Sequence, residues 1–177
     1  MKNKKGFTLW FTGLPSSGKS TLADAVADEL KKQGVLAERL DGDLFRQTIS
    51  KDLGFSPEDI QKNNERVAFV AQLLTKNGVA VVASFASPYR QDREKAREQI
   101  KDFVEVYVKC PLTECIKRDS RGNYKKALAG EIPNFIGISQ SYETPVNPEI
   151  VVETDKESVA ESTEKIIAAL KKLDYLS

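Results

Sequence analysis

Apolar runs and amphipathic segments alternate along the whole 177-residue chain. Runs rich in β-branched and aromatic residues predict five strands, and segments with apolar residues at helical spacing lie between them. The predicted strands span 7–12, 35–40, 79–85, 103–108 and 149–153. The predicted helices span 20–32, 44–51, 57–76, 89–100, 111–119 and 156–173. This alternation indicates an α/β fold with a five-stranded parallel sheet, right-handed crossovers and helices on both faces.

Local signals support these boundaries. Ser56 is followed by Pro57 and, at the third position, by Asp59, which is the usual start of a helix. Gly34 and Gly78 follow directly after predicted helices, where the backbone has to leave the helical conformation. The sequence shows no repeat and no linker, so we expect residues 1–177 to form one domain. Ligands of such a domain gather at the carboxyl ends of its strands.

The segment 120–147 interrupts the alternation. It is rich in glycine, proline and asparagine, and it carries the basic residues Arg121, Lys125 and Lys126. A long irregular segment inside a compact domain is usually functional. We therefore predict a lid that closes over phosphate groups. The alternative is a disordered surface loop, and three aromatic residues within the segment argue against it.

The composition removes several classes of function. The net charge is +1, which gives no reason to expect a nucleic acid polymer or a membrane as partner. No apolar run approaches the ~18 residues of a spanning helix. The absence of histidine excludes Ser-His-Asp chemistry and histidine metal sites. Cys110 and Cys115 lack metal-site spacing, and we expect reduced thiols in a cytosolic protein.

The stretch Gly13-Leu-Pro-Ser-Ser-Gly-Lys-Ser-Thr21 matches the phosphate-loop pattern G-x-x-x-x-G-K-[ST]. It lies between a predicted strand and a predicted helix, so its backbone N–H groups and the helix dipole can face phosphate oxygens. Lys19 can reach the β- and γ-phosphates, and the Ser20 hydroxyl can bind Mg²⁺. The alternative is a glycine turn that binds nothing. The residues expected to bind ATP are Gly13, Ser16, Ser17, Gly18, Lys19, Ser20 and Thr21.

Two carboxylates, Asp41 and Asp43, follow the second predicted strand and face the phosphate loop. Acids beside a triphosphate can hold Mg²⁺ through water and accept a proton from an attacking hydroxyl. Asp43 is the candidate base and a candidate metal ligand, and Asp41 would orient the substrate or hydrate the metal. The alternative is an Asp-Gly turn with solvated acids.

The third predicted strand also ends in polar residues. Ser87 could donate a hydrogen bond to the acceptor of the phosphoryl group, or it could cap the helix predicted at 89–100. We expect Arg90 and Arg93 to be solvated charges on that helix.

These motifs together resemble the adenylylsulfate (APS) kinase family over about residues 6–170. The resemblance implies transfer of the ATP γ-phosphoryl group to the 3′-hydroxyl of adenosine 5′-phosphosulfate, which gives PAPS and ADP during sulfate activation. It also implies a requirement for Mg²⁺ and a cytosolic homodimer. The matching stretches are Gly13–Thr21, Leu40–Asp43 with Arg46, Asp52–Ser56, Ser84–Arg90, Gly122–Ala127, Gly130–Ile138 and Tyr142-Glu143.

Carried over by position, the resemblance implies that Phe55 and Phe135 sandwich the acceptor adenine and that Asn63 forms a hydrogen bond to the acceptor. Stacking between aromatic rings and a base contributes about 1–3 kcal/mol per base. Without the resemblance, both phenylalanines would be read as core residues.

The resemblance also gives roles to charged and hydroxyl groups. Asp43 would be the base or a metal-side acid, and Arg46 would contact the charged end of the acceptor. Ser87 matches the active-site serine of the family, which has been proposed as a phosphoryl carrier. We favour a positioning role, because no neighbour in sequence could deprotonate it strongly. Arg121 replaces the usual lid lysine and keeps its charge.

Three positions depart from the family pattern, and all are expected at the acceptor pocket. Leu44 stands where asparagine is usual, Ile60 stands where an arginine is expected, and Ile136 replaces a threonine. A related kinase with another nucleotide acceptor, for example one linked to cytidine diphosphate, is therefore an alternative. A nucleotide-dependent binding or switch module is a third, although the chain lacks the Asn-Lys-x-Asp motif that reads guanine.

Overall fold

The computed structural model describes residues 5–177. Within this range there are five strands and seven helices, with one or two helices after each strand. The strands are β1 (Phe7–Thr12), β2 (Ala37–Asp41), β3 (Ala80–Ser84), β4 (Phe103–Lys109) and β5 (Ile150–Glu153). The helices are α1 (Lys19–Lys32), α2 (Gly42–Gln47), α3 (Pro57–Thr75), α4 (Arg90–Ile100), α5 (Leu112–Lys117), α6 (Asn123–Leu128) and α7 (Val159–Lys172).

The strands form one parallel sheet in the order β2-β3-β1-β4-β5. In this register Ser84 at the end of β3 pairs with Asp41 on one side and Phe11 on the other. The carboxyl ends of the three neighbouring strands therefore meet at one edge. The predicted fold class is confirmed.

Each face of the sheet is covered by helices. Side chains alternate between faces along a strand, so Leu9 and Phe11 of β1 face one way and Trp10 faces the other. The first face packs against α1 and α7, which contribute residues such as Leu22 and Leu170. The opposite face packs against α3 and α4. The apolar strand pattern follows from this burial on both sides.

The helix boundaries have local causes. The Ser56 hydroxyl accepts a hydrogen bond from the backbone N–H of Asp59 at 3.1 Å, which confirms the predicted start of α3. Ser158 and Glu161 form a capping box at the start of α7. Gly34 and Gly78 have φ angles of 73° and 83°, in the left-handed region that glycine adopts without strain.

The segment 120–147 is not wholly irregular, because it contains the short helix α6. The carboxylate of Asp119 accepts hydrogen bonds from the backbone N–H groups of Asn123 at 3.0 Å and Tyr124 at 2.8 Å. Among the described residues, no helix is long and apolar enough to cross a membrane.

The prediction that Arg93 is a solvated charge is wrong. Its side chain is 3 % exposed and its Nε donates to Glu105 at 2.7 Å. Its two terminal nitrogens donate to the backbone carbonyls of Ser87 and Glu143, each at 2.6 Å. Arg93 lies on the buried stripe of α4 and is tolerated there because its charge is paired and its N–H groups are bonded.

We expect Arg93→Met to destabilise the protein by about 3–5 kcal/mol, because it removes the closer of the two arginines that pair with the buried Glu105 carboxylate and leaves the Ser87 and Glu143 carbonyls without this donor. Urea unfolding followed by circular dichroism measures this loss. The exposed Lys95 of the same helix offers a control, and Lys95→Met should change the free energy of unfolding by less than about 0.5 kcal/mol. Equal effects of the two substitutions would contradict the structural role of the ion pair.

Candidate active site

The phosphate loop leaves the centre of the sheet between β1 and α1. The chain turns there through two left-handed residues, Ser16 with φ 60° and Gly18 with φ 95°. A Cβ atom at Gly13 would lie 2.5 Å from the carbonyl oxygen of Val108. Position 13 therefore admits only glycine without displacement of the β4 backbone.

Lys19 bends back over this loop. Its Nζ donates hydrogen bonds to the carbonyl oxygens of Gly13 at 2.9 Å and Leu14 at 2.7 Å. Burial away from solvent lowers the pKa of Lys19 from its ordinary value of 10.5 to about 8. A buried ammonium group that is held only by carbonyl dipoles is matched to an anionic ligand in the loop.

Three serine hydroxyls surround the same loop. Ser17 has a buried Oγ that, among the described residues, has no hydrogen-bond partner. Ser20, in the first turn of α1, has its Oγ 3.4 Å from the Ser84 Oγ at the end of β3. The free Ser17 hydroxyl, the weakly paired Ser20 hydroxyl and the N-terminus of α1 together make an anion site.

A cavity of about 630 Å³ opens beside the loop. Arg118 lines it and donates to the side chain and the carbonyl oxygen of Thr154, at 3.2 and 2.8 Å. Neither residue was predicted from the sequence, because only the fold brings the ends of α5 and β5 together. Residues that line the cavity include Ser16, Gly18, Lys19, Ser20, Thr21, Arg118, Arg121, Thr154 and Ser158.

Asp41 and Asp43 have different environments. The Asp41 carboxylate caps α2 by accepting the N–H groups of Asp43 at 2.9 Å and Leu44 at 3.1 Å. Asp43 is exposed, and Arg121 donates to its carboxylate at 3.2 Å across 78 residues of sequence. Asp41 is thus a structural cap, whereas Asp43 is free to contact a ligand beside the cationic cavity wall.

Arg46 and Phe55 form one wall next to these carboxylates. Arg46 donates to the carbonyl oxygens of Leu53 and Gly54, and its guanidinium lies 4.6 Å from the centre of the Phe55 ring. Phe55 is 63 % exposed, so the core interpretation of this residue is wrong. An exposed ring held flat by an arginine is a stacking surface for a base.

Phe135 lies in the segment that faces this wall. It is half-buried and packs edge-on against Tyr124, with ring centres 4.9 Å apart. Gln140 links the two phenylalanines, because its side-chain nitrogen donates to the Phe55 carbonyl at 3.4 Å and its backbone N–H donates to the Phe135 carbonyl at 3.0 Å. The two rings do not stack on each other.

Asn63 lies on α3, behind the Phe55 loop. It is buried, and its side-chain oxygen has no hydrogen-bond partner within residues 5–177. Such an atom costs free energy unless a water or a ligand satisfies it. The unpartnered oxygen is therefore consistent with the predicted contact to the acceptor.

Ser87 is buried at the carboxyl end of β3. Its Oγ accepts a hydrogen bond from Trp10 Nε1 at 3.1 Å, and its carbonyl oxygen accepts one from Thr12 at 3.1 Å. The helix-cap alternative for Ser87 is wrong. Tyr89 occupies the N-cap position of α4, and the first free N–H, that of Arg90, donates to the Glu143 carboxylate instead at 2.8 Å.

The site thus has an anion-binding half and a half with an exposed carboxylate and an exposed aromatic ring. Among the described residues, no group of three or more histidine, cysteine, aspartate or glutamate side chains could hold a metal ion by itself. This arrangement suits transfer of a phosphoryl group, in which positioning and charge stabilisation supply most of the catalysis.

Comparison with known proteins agrees with this geometry. The adenylylsulphate kinase family model matches residues 5–153. An adenylyl-sulfate kinase of Halothermothrix orenii is 51% identical over 177 residues, which cover 100% of this chain and 96% of the relative. A probable adenylyl-sulfate kinase of Pseudomonas aeruginosa is 55% identical over 162 residues, which cover 92% of this chain and 76% of the relative.

The fold also matches a solved structure of that family. The APS kinase CysC of Mycobacterium tuberculosis, in complex with AMPPNP and APS, superposes with a TM-score of 0.91 at 40% identity. The match covers 94% of this chain and 98% of that one. The chain belongs to the adenylylsulfate kinase family and is a kinase.

Proposed function

We propose that this kinase transfers the γ-phosphoryl group of ATP to the 3′-hydroxyl of adenosine 5′-phosphosulfate, making PAPS and ADP in sulfate activation. The observation that carries the proposal is the ion pair between Arg121 and Asp43 beside the cavity of the phosphate loop. Through Arg121, the Asp43 carboxylate, which is the candidate base, lies beside this cavity and supports the proposal. The family relative that holds both AMPPNP and APS supports the same pair of substrates.

On the donor side, the phosphate loop would hold ATP. Backbone N–H groups of the loop and the N-terminus of α1 would face the phosphates, and Lys19 would move from the carbonyls of Gly13 and Leu14 to the β- and γ-phosphate oxygens. Arg118 and Thr154, at the other side of the cavity, would contact the nucleoside.

Magnesium fits this site as a partner of the nucleotide. Ser20 offers a hydroxyl oxygen and Asp43 a carboxylate oxygen, which are the hard ligands that Mg²⁺ prefers, and phosphates and water would complete its shell. When bound, the ion would neutralise charge on the β- and γ-phosphates. The protein residues alone would not retain it.

On the acceptor side, Asp43 would accept the proton of the 3′-hydroxyl. Phe55, backed by Arg46, would stack against the adenine, and Phe135 would cover its other face. The free oxygen of Asn63 would accept a hydrogen bond from the acceptor.

Residues 120–147 would act as the lid. Their C-terminal part is tied to the body, because the Glu143 N–H donates to the Pro88 carbonyl at 2.8 Å and Arg93 donates to the Glu143 carbonyl. The N-terminal part carries Arg121 over the cavity. Tyr124 is anchored as well, because its hydroxyl donates to the Pro15 carbonyl at 2.8 Å. Closure would therefore be limited to small movements that bring the exposed cationic side chains onto the phosphates.

We also propose that the protein is a cytoplasmic homodimer. Both cysteines are free and buried, as is usual in a reducing compartment. Phe69 and Leu73, one turn apart on α3, are 55 % and 37 % exposed, and apolar side chains on one helix face are suited to a second copy. Light scattering after gel filtration would separate a dimer from a monomer.

The direct test is an assay with Mg²⁺-ATP and APS, in which phosphorus NMR identifies the phosphorylated hydroxyl of the product. We expect PAPS from the wild type. Asp43→Asn should lower kcat by about 10²–10⁴-fold and raise the KM for ATP far less, since it removes the proton acceptor and keeps the shape and an amide oxygen that can still face Mg²⁺. An unaltered kcat would exclude Asp43 as the base, and absence of PAPS would contradict the function.

The low pKa of Lys19 predicts that nucleotide binding takes up a proton. Above about pH 8 the buried amine is mostly neutral, and phosphate restores its charge, so affinity should fall as pH rises from 8 towards 10.5. Calorimetry of AMPPNP binding at pH 9, in two buffers with different ionisation enthalpies, measures this uptake. Lys19→Arg is the control, because arginine stays protonated. Equal uptake by both proteins would contradict the assignment.

A second candidate function is the phosphorylation of another nucleotide, for example one linked to cytidine diphosphate. The observation that favours it is the absence of a cation at position 60, where Ile60 is 1 % exposed, together with the exposed side chain of Leu44. An acceptor with a less anionic 5′-group would need no arginine there.

For APS as acceptor, Ile60→Arg should lower the KM about tenfold, because a charge-assisted hydrogen bond to the acceptor contributes roughly 1.5 kcal/mol. The aliphatic part of the arginine side chain can stay buried while its guanidinium group reaches the acceptor. Ile60→Met is the control for altered packing and should leave the KM for APS unchanged. A KM for APS that rises in the arginine variant, with thermal stability preserved, would favour the second candidate.

A further inference from the structure

We propose that Trp10 is a positioning residue for the acceptor step. Its indole N–H holds the Ser87 hydroxyl so that this hydroxyl donates its own proton to an anionic oxygen of the acceptor nucleotide. The identity of that acceptor rests on the proposed function, whereas the hydrogen-bond arrangement rests on the geometry below.

The direction of the first hydrogen bond is fixed by chemistry. Trp10 Nε1 lies 3.1 Å from Ser87 Oγ, and both side chains are buried. An indole N–H can only donate, so the serine oxygen has to accept. One lone pair of the hydroxyl is therefore occupied, and its proton points away from Trp10.

The proton of this hydroxyl has no acceptor within residues 5–177. Ser87 is 2 % exposed, so bulk water has little access to it. Buried hydroxyls normally satisfy their donor as well as their acceptor capacity. The Ser87 hydroxyl proton, which is this unused donor, lies three residues after the end of β3, at the edge of the sheet that also carries Asp41.

The backbone of Ser87 and the ring of Trp10 are both fixed by their own contacts. Its carbonyl oxygen accepts hydrogen bonds from Thr12 Oγ1 and Arg93 Nη1, at 3.1 and 2.6 Å. Trp10 is itself packed between Phe85 and Phe103, with ring centres 6.3 and 5.7 Å away. The hydroxyl is consequently a preorganised donor, which is the kind of group that stabilises negative charge without reorganisation.

The same arrangement argues against a phosphoryl carrier. A serine nucleophile needs a base that removes its proton, and the group bonded to the Ser87 oxygen is a donor. A hydrogen bond donated to that oxygen also lowers its nucleophilicity. Ser87 would therefore orient the acceptor, and Trp10 would act through Ser87 alone.

Trp10 is the sole tryptophan of the chain, so the ¹⁵N–¹H spectrum has one indole cross-peak. We expect Ser87→Ala to shift this peak, because the indole loses its acceptor. Ser84→Ala, which removes a nearby hydroxyl that faces Ser20 rather than Trp10, is the control and should leave the peak in place. An indole peak that Ser87→Ala does not move would overturn the proposal, whichever nucleotide is the acceptor.

A double-mutant cycle, measured by steady-state kinetics, tests whether Trp10 acts through Ser87. Trp10→Phe keeps an aromatic ring and removes the N–H, and it should lower kcat/KM for the acceptor about tenfold while the KM for ATP is unchanged. In the Ser87→Ala background the same substitution should cause no further loss. Phe103→Leu disturbs the packing around Trp10 without removing the indole N–H, and its effect should persist in that background.

Equal losses from Trp10→Phe in both backgrounds would mean that the indole acts by packing, and would overturn the positioning role. If the wild type does not phosphorylate APS, the proposed function fails first, and the cycle is run with the acceptor that the enzyme does use. The indole cross-peak gives its answer in either case.

Discussion

The parallel register of β2, β3 and β1 is the constraint on which the rest of the site depends. It aligns Asp41 with Ser84 and Ser84 with Phe11, so three chain segments leave the sheet at the same level. The phosphate loop, the carboxylates and the turn at Ser87 follow from these three ends. A slip by one residue would exchange the two faces of a strand and dismantle both the core and the site.

The buried guanidinium of Arg93 connects this edge to the segment 120–147. It is paired with Glu105 on β4 and holds the carbonyls of Ser87 and Glu143. One side chain therefore fixes the turn at Ser87 and the C-terminal part of that segment to a central strand. Charge burial, which usually costs stability, contributes here to the alignment of parts that are distant in sequence.

Local patterns made the strands, most helix boundaries and the phosphate loop predictable, because each depends on neighbours in sequence. The short helix α6 was missed, since its start depends on the carboxylate of Asp119 rather than on hydrophobic periodicity. Arg93 and the contact of Arg118 with Thr154 depend on partners up to 50 residues away. Their burial follows from tertiary packing, although the helical spacing of Arg93 from Ala96 and Ile100 was a usable signal.

We propose that the phosphate loop and the residues around the exposed Phe55 ring act together in the phosphorylation of APS. Steady-state kinetics with Mg²⁺-ATP test it most directly, with APS and a panel of 5′-modified nucleotides compared side by side and the products identified by mass spectrometry. We expect the highest kcat/KM for APS, at about 10⁴ M⁻¹s⁻¹ or more, with PAPS as product. Poor use of APS beside efficient phosphorylation of another nucleotide would contradict it.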